Sequence, residues 1–273
     1  MAIRSALINV MEGAVRKAAR SLVRDFGEVE QLQVSKKGPG DFVTNADLKS
    51  ERILRRELTH ARPDYSLLLE ESGAMEGKDP SHVWLVDPLD GTSNFLHGIP
   101  HFSITIALQH EDKIVAGVIL DPIHDEFFWA ERGCGAFLNN HRLRVSARKK
   151  LSDSLLAYGE PFGGRPGKDA FARVLPIMME QTAGIRRSGA AAQDLAYVAA
   201  GRFDGYWEEG LKPWDMAAGI LLVQEAGGYV TEINGGRNML QSGSILATND
   251  ALYSSVATLL RTAYKAPGSM VTD

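Results

Sequence analysis

The sequence is short of cysteine, of net charge and of long apolar runs. Only one of its 273 residues is cysteine, Cys134. No internal disulfide can form and no thiolate cluster can hold a metal, so a reducing compartment and an uncrosslinked fold are expected. Thirty Lys and Arg face 34 Asp and Glu, a formal charge of −4. That is small and of the wrong sign for a protein that grips nucleic acid through its overall charge, so no direct nucleic-acid binding is expected. No apolar stretch nears the roughly 18 residues of a spanning helix, and Met1 to Asn9 lacks the form of a signal peptide; the expectation is a cytoplasmic protein without a membrane partner. Several catalytic signatures are also missing. Gly167-Lys168 is followed by Asp169 and lacks the earlier glycine of a P-loop, and neither G-x-S-x-G nor H-E-x-x-H occurs. The seven His are scattered, with His97 and His101 on a loop around Gly98-Ile99-Pro100.

What is present is enough chain for a large core, at a length that suggests about two domains. Ile3, Leu7, Val10, Met11, Ala14, Val15, Ala18 and Leu22 recur at helical spacing and predict a helix ending near Gly27. Lys37-Gly38-Pro39-Gly40 reads as a separator before a second helix from Asn45 to Ala61, closed by Pro63. Short β-like runs follow at Leu67–Leu69, Val83–Val86, Phe102–Gln109, Ile114–Leu120 and Phe127–Trp129, which predict a largely antiparallel sheet. Beyond about Val145, helices near 168–182, 191–200, 216–226 and 251–264 alternate with strands near 155–158, 205–208, 229–231 and 245–248. The alternation argues for an α/β half. The expected division is an α+β half over 1–145, an α/β half over 146–264 and a frayed tail over 265–273, the two halves forming one catalytic unit.

The chemistry lies in carboxylates at the ends of apolar strands. Trp84-Leu85-Val86-Asp87-Pro88-Leu89-Asp90-Gly91-Thr92 delivers Asp87 at a strand end and Asp90 three residues on, with Pro88 setting a turn. Gly91 permits close backbone approach, and Thr92-Ser93-Asn94 reads as a helix start. Two such carboxylates repel each other and call for a cation, and an all-oxygen donor set favours Mg²⁺ over Zn²⁺. Each piece also has a plainer reading. Asp-Pro and Asp-Gly form turns, Thr44 with Asp47 fits a capping box, Glu70-Glu71 fits a solvated loop, and Asp215 fits a helix N-cap matched by Gly227-Gly228.

Taken together, Asp41–Asp47, Glu70-Glu71-Ser72, Trp84–Phe95 and Trp214–Gly219 leading to Glu225–Gly228 resemble the successive signatures of the inositol monophosphatase family, in order and spacing, from about Ile3 to Tyr264. The resemblance implies a layered α-β-α-β-α sandwich, usually a homodimer, and a Mg²⁺-dependent, lithium-sensitive phosphomonoesterase. Carried over by position, it implies that Glu70, Asp87 and the Leu89 carbonyl hold one ion and Asp87, Asp90 and Asp215 a second, with Glu70 helping a weaker third. Gly91 and Thr92 would contact phosphate, Thr92 and Asp47 would orient the attacking water, Glu71 would support the site from behind, and Lys36 would stand near the entrance. Gly189, Ala190 and Glu208 would face the inositol ring, with Glu208 preferred over Glu209 by its spacing to Asp215. Leu69 and Lys212-Pro213 depart from the family pattern. The resemblance leaves open other small phosphate esters, namely fructose-1,6-bisphosphate, histidinol phosphate or a 3′-phosphoadenosine nucleotide. It also leaves open a role as a binding partner of the transcription machinery.

Overall fold

The computed structural model describes residues 4–28, 34–38, 41–161 and 167–265, those of 34–38 and 41–43 by backbone alone. Ile3, Pro39, Gly40 and the tail beyond Lys265 lie outside the described residues.

Helix α1 (Ala6–Phe26) starts where the Ser5 hydroxyl accepts from the Ile8 amide at 3.2 Å, and it buries Ile8, Met11, Ala14, Val15, Ala18 and Leu22 in one stripe. A two-stranded hairpin, β1 (Val34–Gly38) with β2 (Asp41–Thr44), leads into α2 (Asn45–Ala61). Lys37 and Gly38 are therefore part of a strand rather than a separator; strands this short and polar carry no apolar alternation to betray them. Strands β3 (Tyr65–Leu69), β4 (Gly73–Met75) and β5 (Asp79–Asp90) precede the short helix α3 (Thr92–Leu96). β6 (Ser103–His110), β7 (Lys113–Asp121), β8 (Glu126–Glu131), β9 (Gly135–Leu138) and β10 (His141–Arg142) complete the first sheet. The remainder comprises β11 (Leu155–Tyr158), α4 (Lys168–Gln181), β12 (Gly184–Arg186), α5 (Ala191–Ala199), β13 (Gly205–Glu208), α6 (Pro213–Glu225), β14 (Tyr229–Thr231), α7 (Met239–Ser242), β15 (Ile245–Thr248) and α8 (Asp250–Lys265).

The first sheet runs β10-β9-β8-β7-β6-β5-β3-β4 and is antiparallel except for the parallel pair β3 and β5. The second runs β12-β11-β13-β15-β14, with β11 parallel to both its neighbours and the rest antiparallel. Helices α1 and α2 cover the outer face of the first sheet, α5 and α6 lie between the sheets, and α4 and α8 pack on the far side. This is a layered α-β-α-β-α sandwich. The central core takes residues from both sheets: Leu85, Ile119 and Phe128 pack with Leu195, Leu221, Tyr206 and Ala247. From Met216 to Val223, α6 is buried and apolar all round, as a helix segment covered on every side must be. Among the described residues no helix is long and apolar enough to cross a membrane.

Candidate active site

The parallel pairing of β3 with β5 assembles the first acids. Leu69 lies opposite Val86, and the Glu70 amide donates to the Val86 carbonyl at 3.2 Å, which brings Glu70 alongside Asp87. Beyond Asp87 the strand does not turn. β5 continues to Asp90 and stays paired with β6, with the register shifting between Asp87 opposite Thr105 and Asp90 opposite Ser103. Pro88 thus sits in an irregularity of the strand, where its missing N–H breaks no ladder bond, rather than in a turn.

Two interior helices close the site. The first turn of α5 offers its free amides to Asp90, with Ala191 N on Oδ1 at 3.1 Å and Ala192 N on Oδ2 at 2.9 Å. Thr105 Oγ1 donates to the Trp214 carbonyl at 3.3 Å and fixes the start of α6 against the first sheet. Asp215 is in the first turn of that helix, not at its N-cap; Lys212 is the cap, and its amide donates to Asp215 Oδ2 at 2.7 Å. Glu70, Asp87, Leu89, Asp90 and Asp215 line one cavity of about 360 Å³, with Gly91 and Thr92 beside them.

Asp47 stands behind this wall, fully buried. Its Oδ2 accepts from Thr44 N at 2.9 Å and from the Thr44 hydroxyl, while its Oδ1 accepts from Thr92 Oγ1 at 3.2 Å. Thr92 Oγ1 also lies 3.0 Å from the Leu89 carbonyl. The capping box and the link to the cavity are both real, one on each carboxylate oxygen. Gly91 has φ +89°, and a Cβ there would sit 3.1 Å from both the Ala190 Cβ and the His101 carbonyl. Only glycine fits this junction.

Glu208 also lines the cavity, buried on β13 with the Tyr206 hydroxyl donating to it. Gly159 must lack a Cβ because one would overlap the Glu208 carboxylate. Gly189 and Ala190 line the same cavity. Asn94 Nδ2 holds their loop to the first sheet, donating to the Ser188 carbonyl at 2.8 Å and the His101 carbonyl at 2.7 Å. Glu209 lies outside the cavity and is half-buried rather than solvated; burial raises its pKa above the usual carboxylate value. Glu71 does not line the cavity either. Its amide is held by Glu51 Oε2 at 2.8 Å, from α2. Lys36 lies on β1, and its side chain is outside the described residues. Asp194, Tyr206, Tyr158, Glu160 and Leu211 also line the cavity and were not singled out from sequence. Asp194 follows Asp90's amide donors on the first turn of α5, and no residue spacing ties it to the strand-end acids in advance. Glu51 did leave a signal: it is a polar residue one turn beyond Asp47 on the buried face of α2.

Burial first, then the charges of Glu70, Asp90 and Asp215, pushes the Asp87 carboxyl well above the ordinary range; a hydrogen bond with Glu70 acts in the same direction. Burial and the charges of Asp215 and Asp194 do the same to Asp90. The shifts mark a site in want of positive charge. Among the described residues no three acidic, His or Cys side chains already stand in a ligating cluster. The donor chemistry nonetheless fits a hard cation: four carboxylates and a peptide carbonyl on one cavity wall, three of the acids raising the pKa of the fourth.

A pH effect follows. From the ordinary carboxylate range near pH 4 upward to the raised values, the folded metal-free protein binds more protons at Asp87 and Asp90 than the unfolded chain does. Their contribution to stability therefore declines as pH rises through that window, while competition by protons for an added cation weakens. The expected result is a Mg²⁺-induced rise in Tm that grows as pH rises above the ordinary carboxylate range. A Mg²⁺ effect independent of pH, measured by thermal melts with Mg²⁺ and with EDTA, would contradict it.

Comparisons with known proteins give the family. Residues 4–265 match the model of the inositol monophosphatase family. An inositol-1-monophosphatase of Mesorhizobium japonicum is 56% identical over 249 residues, covering 91% of this chain and 94% of that protein. The Nus factor SuhB of Vibrio cholerae is 43% identical over 243 residues, covering 89% and 91%. The crystal structure of the extragenic suppressor protein suhB from Bartonella henselae superposes with a TM-score of 0.92 at 54% identity, covering 94% of this chain and 99% of that one. With its strand-end acids, its layered fold and its match over nearly the whole length, the chain belongs to the inositol monophosphatase family.

Proposed function

We propose that this protein hydrolyses inositol monophosphate to inositol and inorganic phosphate, with Mg²⁺ held by Glu70, Asp87, Asp90, Asp215 and the Leu89 carbonyl. The observation that carries the reading is one cavity lined both by a cluster of acids backed by the Asp47–Thr92 hydrogen bond and by Glu208, a buried carboxylate held by the Tyr206 hydroxyl. Phosphate monoesters are among the slowest molecules to hydrolyse uncatalysed, and catalysis of phosphoryl transfer is mainly positioning and charge. Bound Mg²⁺ supplies positive charge to the phosphoryl oxygens and acidifies water.

The chain's own residues do the rest. Thr92 Oγ1 donates its proton to Asp47 Oδ1, which leaves the oxygen lone pairs to accept from a water and aim it at phosphorus. The Gly91 and Thr92 amides, at the start of α3, face the phosphate. Glu208 accepts from hydroxyls of the alcohol, and the Tyr206 hydroxyl holds its carboxylate in place. Four carboxylates carry −4, matched by two divalent ions, and the substrate's own charge leaves room for a third. The family's lithium sensitivity and homodimeric assembly belong to the same reading.

Phosphate release from a panel of esters tests it. Activity should require Mg²⁺, fall with Li⁺, and favour inositol monophosphate over fructose-1,6-bisphosphate, histidinol phosphate and 3′-phosphoadenosine nucleotides. A preference of about tenfold or more for a nucleotide, equal to about 1.4 kcal/mol in transition-state binding, would overturn the choice of substrate. The naming of the Vibrio cholerae relative as a Nus factor supports a second role as a partner of the transcription machinery.

A further inference from the structure

The α5 turn that holds Asp90 is itself held from the side. Ala191, Ala192 and Gln193 all donate backbone amides to the Asp90 carboxylate, at 3.1, 2.9 and 3.4 Å. The Gln193 side chain runs away from the cavity. Its Nε2 donates to Asp121 Oδ2 at 2.6 Å and lies 3.4 Å from the Tyr197 hydroxyl. Asp121, at the end of β7 and fully buried, is rigidly placed by the Ile123 and His124 amides on Oδ1, at 2.9 and 3.0 Å, and by His124 Nδ1 at 2.8 Å from Oδ2.

The cost of this arrangement is visible. Gln193 is completely buried, and among the described residues its Oε1 has no hydrogen-bond partner. A buried amide with an idle acceptor is a poor way to fill an interior, and an apolar side chain of the same volume would serve packing better. From the bond it does make, we infer that Gln193 and Asp121 are positioning residues for Asp90, pinning the first turn of α5 so that its amides present the carboxylate to the cavity in one orientation. The inference rests on the reading of Asp90 as a metal ligand. Groups that orient metal ligands typically contribute about 10- to 100-fold in metal affinity, and Gln193 acts through a backbone turn, so the lower end applies.

The test compares wild type with Gln193→Met and Asp121→Asn. Two readouts are used: Mg²⁺ binding, by calorimetry and by the Mg²⁺-induced rise in Tm, and the Mg²⁺ dependence of phosphate release. Gln193→Met should weaken Mg²⁺ binding about tenfold and raise the half-saturating Mg²⁺ equally, with kcat at saturating Mg²⁺ within about twofold. Its metal-free Tm should change little, the loss of the buried bond to Asp121 Oδ2 offsetting the removal of the idle Oε1. In Asp121→Asn the Gln193 amide can turn over and offer Oε1 to the new Nδ2, so most of the Mg²⁺ affinity should be retained. Unchanged Mg²⁺ binding in Gln193→Met, or a lowered metal-free Tm with kcat falling at unchanged half-saturation, would overturn the positioning role alone. A wild type that binds no Mg²⁺ would overturn the ligand reading and this inference with it.

Discussion

Asp87→Asn should cost about 10³-fold or more in phosphate release while leaving the metal-free fold as stable as wild type or more so. Both halves follow from one environment. Asp87 is 2% exposed and feels the charges of Glu70, Asp90 and Asp215. On the proposed reading it serves both ions, so its loss removes more than an orienting group does, for which about 10- to 100-fold is typical. Without metal, an amide of the same size relieves a repulsion that the carboxylate imposes, and Leu89 N, 2.9 Å from Asp87 Oδ1, still finds an acceptor. With metal the order reverses. At a Mg²⁺ concentration 100 times Kd, wild type should gain about 2.7 kcal/mol, a Tm rise of about 5–10 °C, and the variant should gain little. Melting curves and phosphate release check the two halves separately. A variant that keeps a tenth of the activity, or that melts well below wild type in EDTA, would show that Asp87 is structural. The same variant also separates the two proposed roles, since a transcription partner that needs no chemistry should bind it unchanged.

Asp47→Asn should lower kcat by about 10²-fold with α2 intact, whereas Asp47→Ala should lose that activity and about 1 kcal/mol of stability besides. The division rests on which oxygen does what. Oδ2 accepts from the Thr44 backbone and hydroxyl, a bond to the helix start that an asparagine carbonyl can keep. Oδ1 accepts from Thr92 at 3.2 Å, and an asparagine that keeps the cap would present its NH₂ there, so Thr92 would turn its proton to the Leu89 carbonyl and spend on the amide a lone pair needed for the water. Burial raises the Asp47 pKa, opposed by its bonds to Thr44 and Thr92. A kcat within about threefold of wild type in Asp47→Asn would reduce the residue to a helix cap.

The residue types that matter were legible in the chain because their chemistry is local. Acids that end apolar runs, such as Asp87 after Val86, stand out in one dimension, and so does the α1 stripe from Ile8 to Leu22. Four of the five strands of the second sheet, β11, β13, β14 and β15, and the bounds of α2 are equally local, set by apolar runs, Thr44 and Pro63. The edge strands β4, β10 and β12 were not: they have two or three residues each, too few to show a period. Pro88 misled for a related reason. Proline is read as a turn unless the partner strand is known, and only β6 shows that the ladder resumes at Asp90.

By itself the sequence determined a family and a fold class and marked a set of candidate acids, since all three depend on which residues follow one another. Tertiary structure alone decided what those acids do together. The parallel register of β3 on β5 places Glu70 beside Asp87, and the first turns of α5 and α6 carry amides and Asp215 to the same wall. It also recruited Asp194, Tyr206, Gln193 and Asp121, residues unremarkable in the chain until folding buried them around Asp90 and Glu208. The physical reason is that a carboxylate's pKa, partners and accessible ligands depend on distances of a few ångströms between segments more than 100 residues apart, as between Asp90 and Ala192. With one cysteine and a net charge of only −4, the chain gathers charge at this cavity by burying acids against one another.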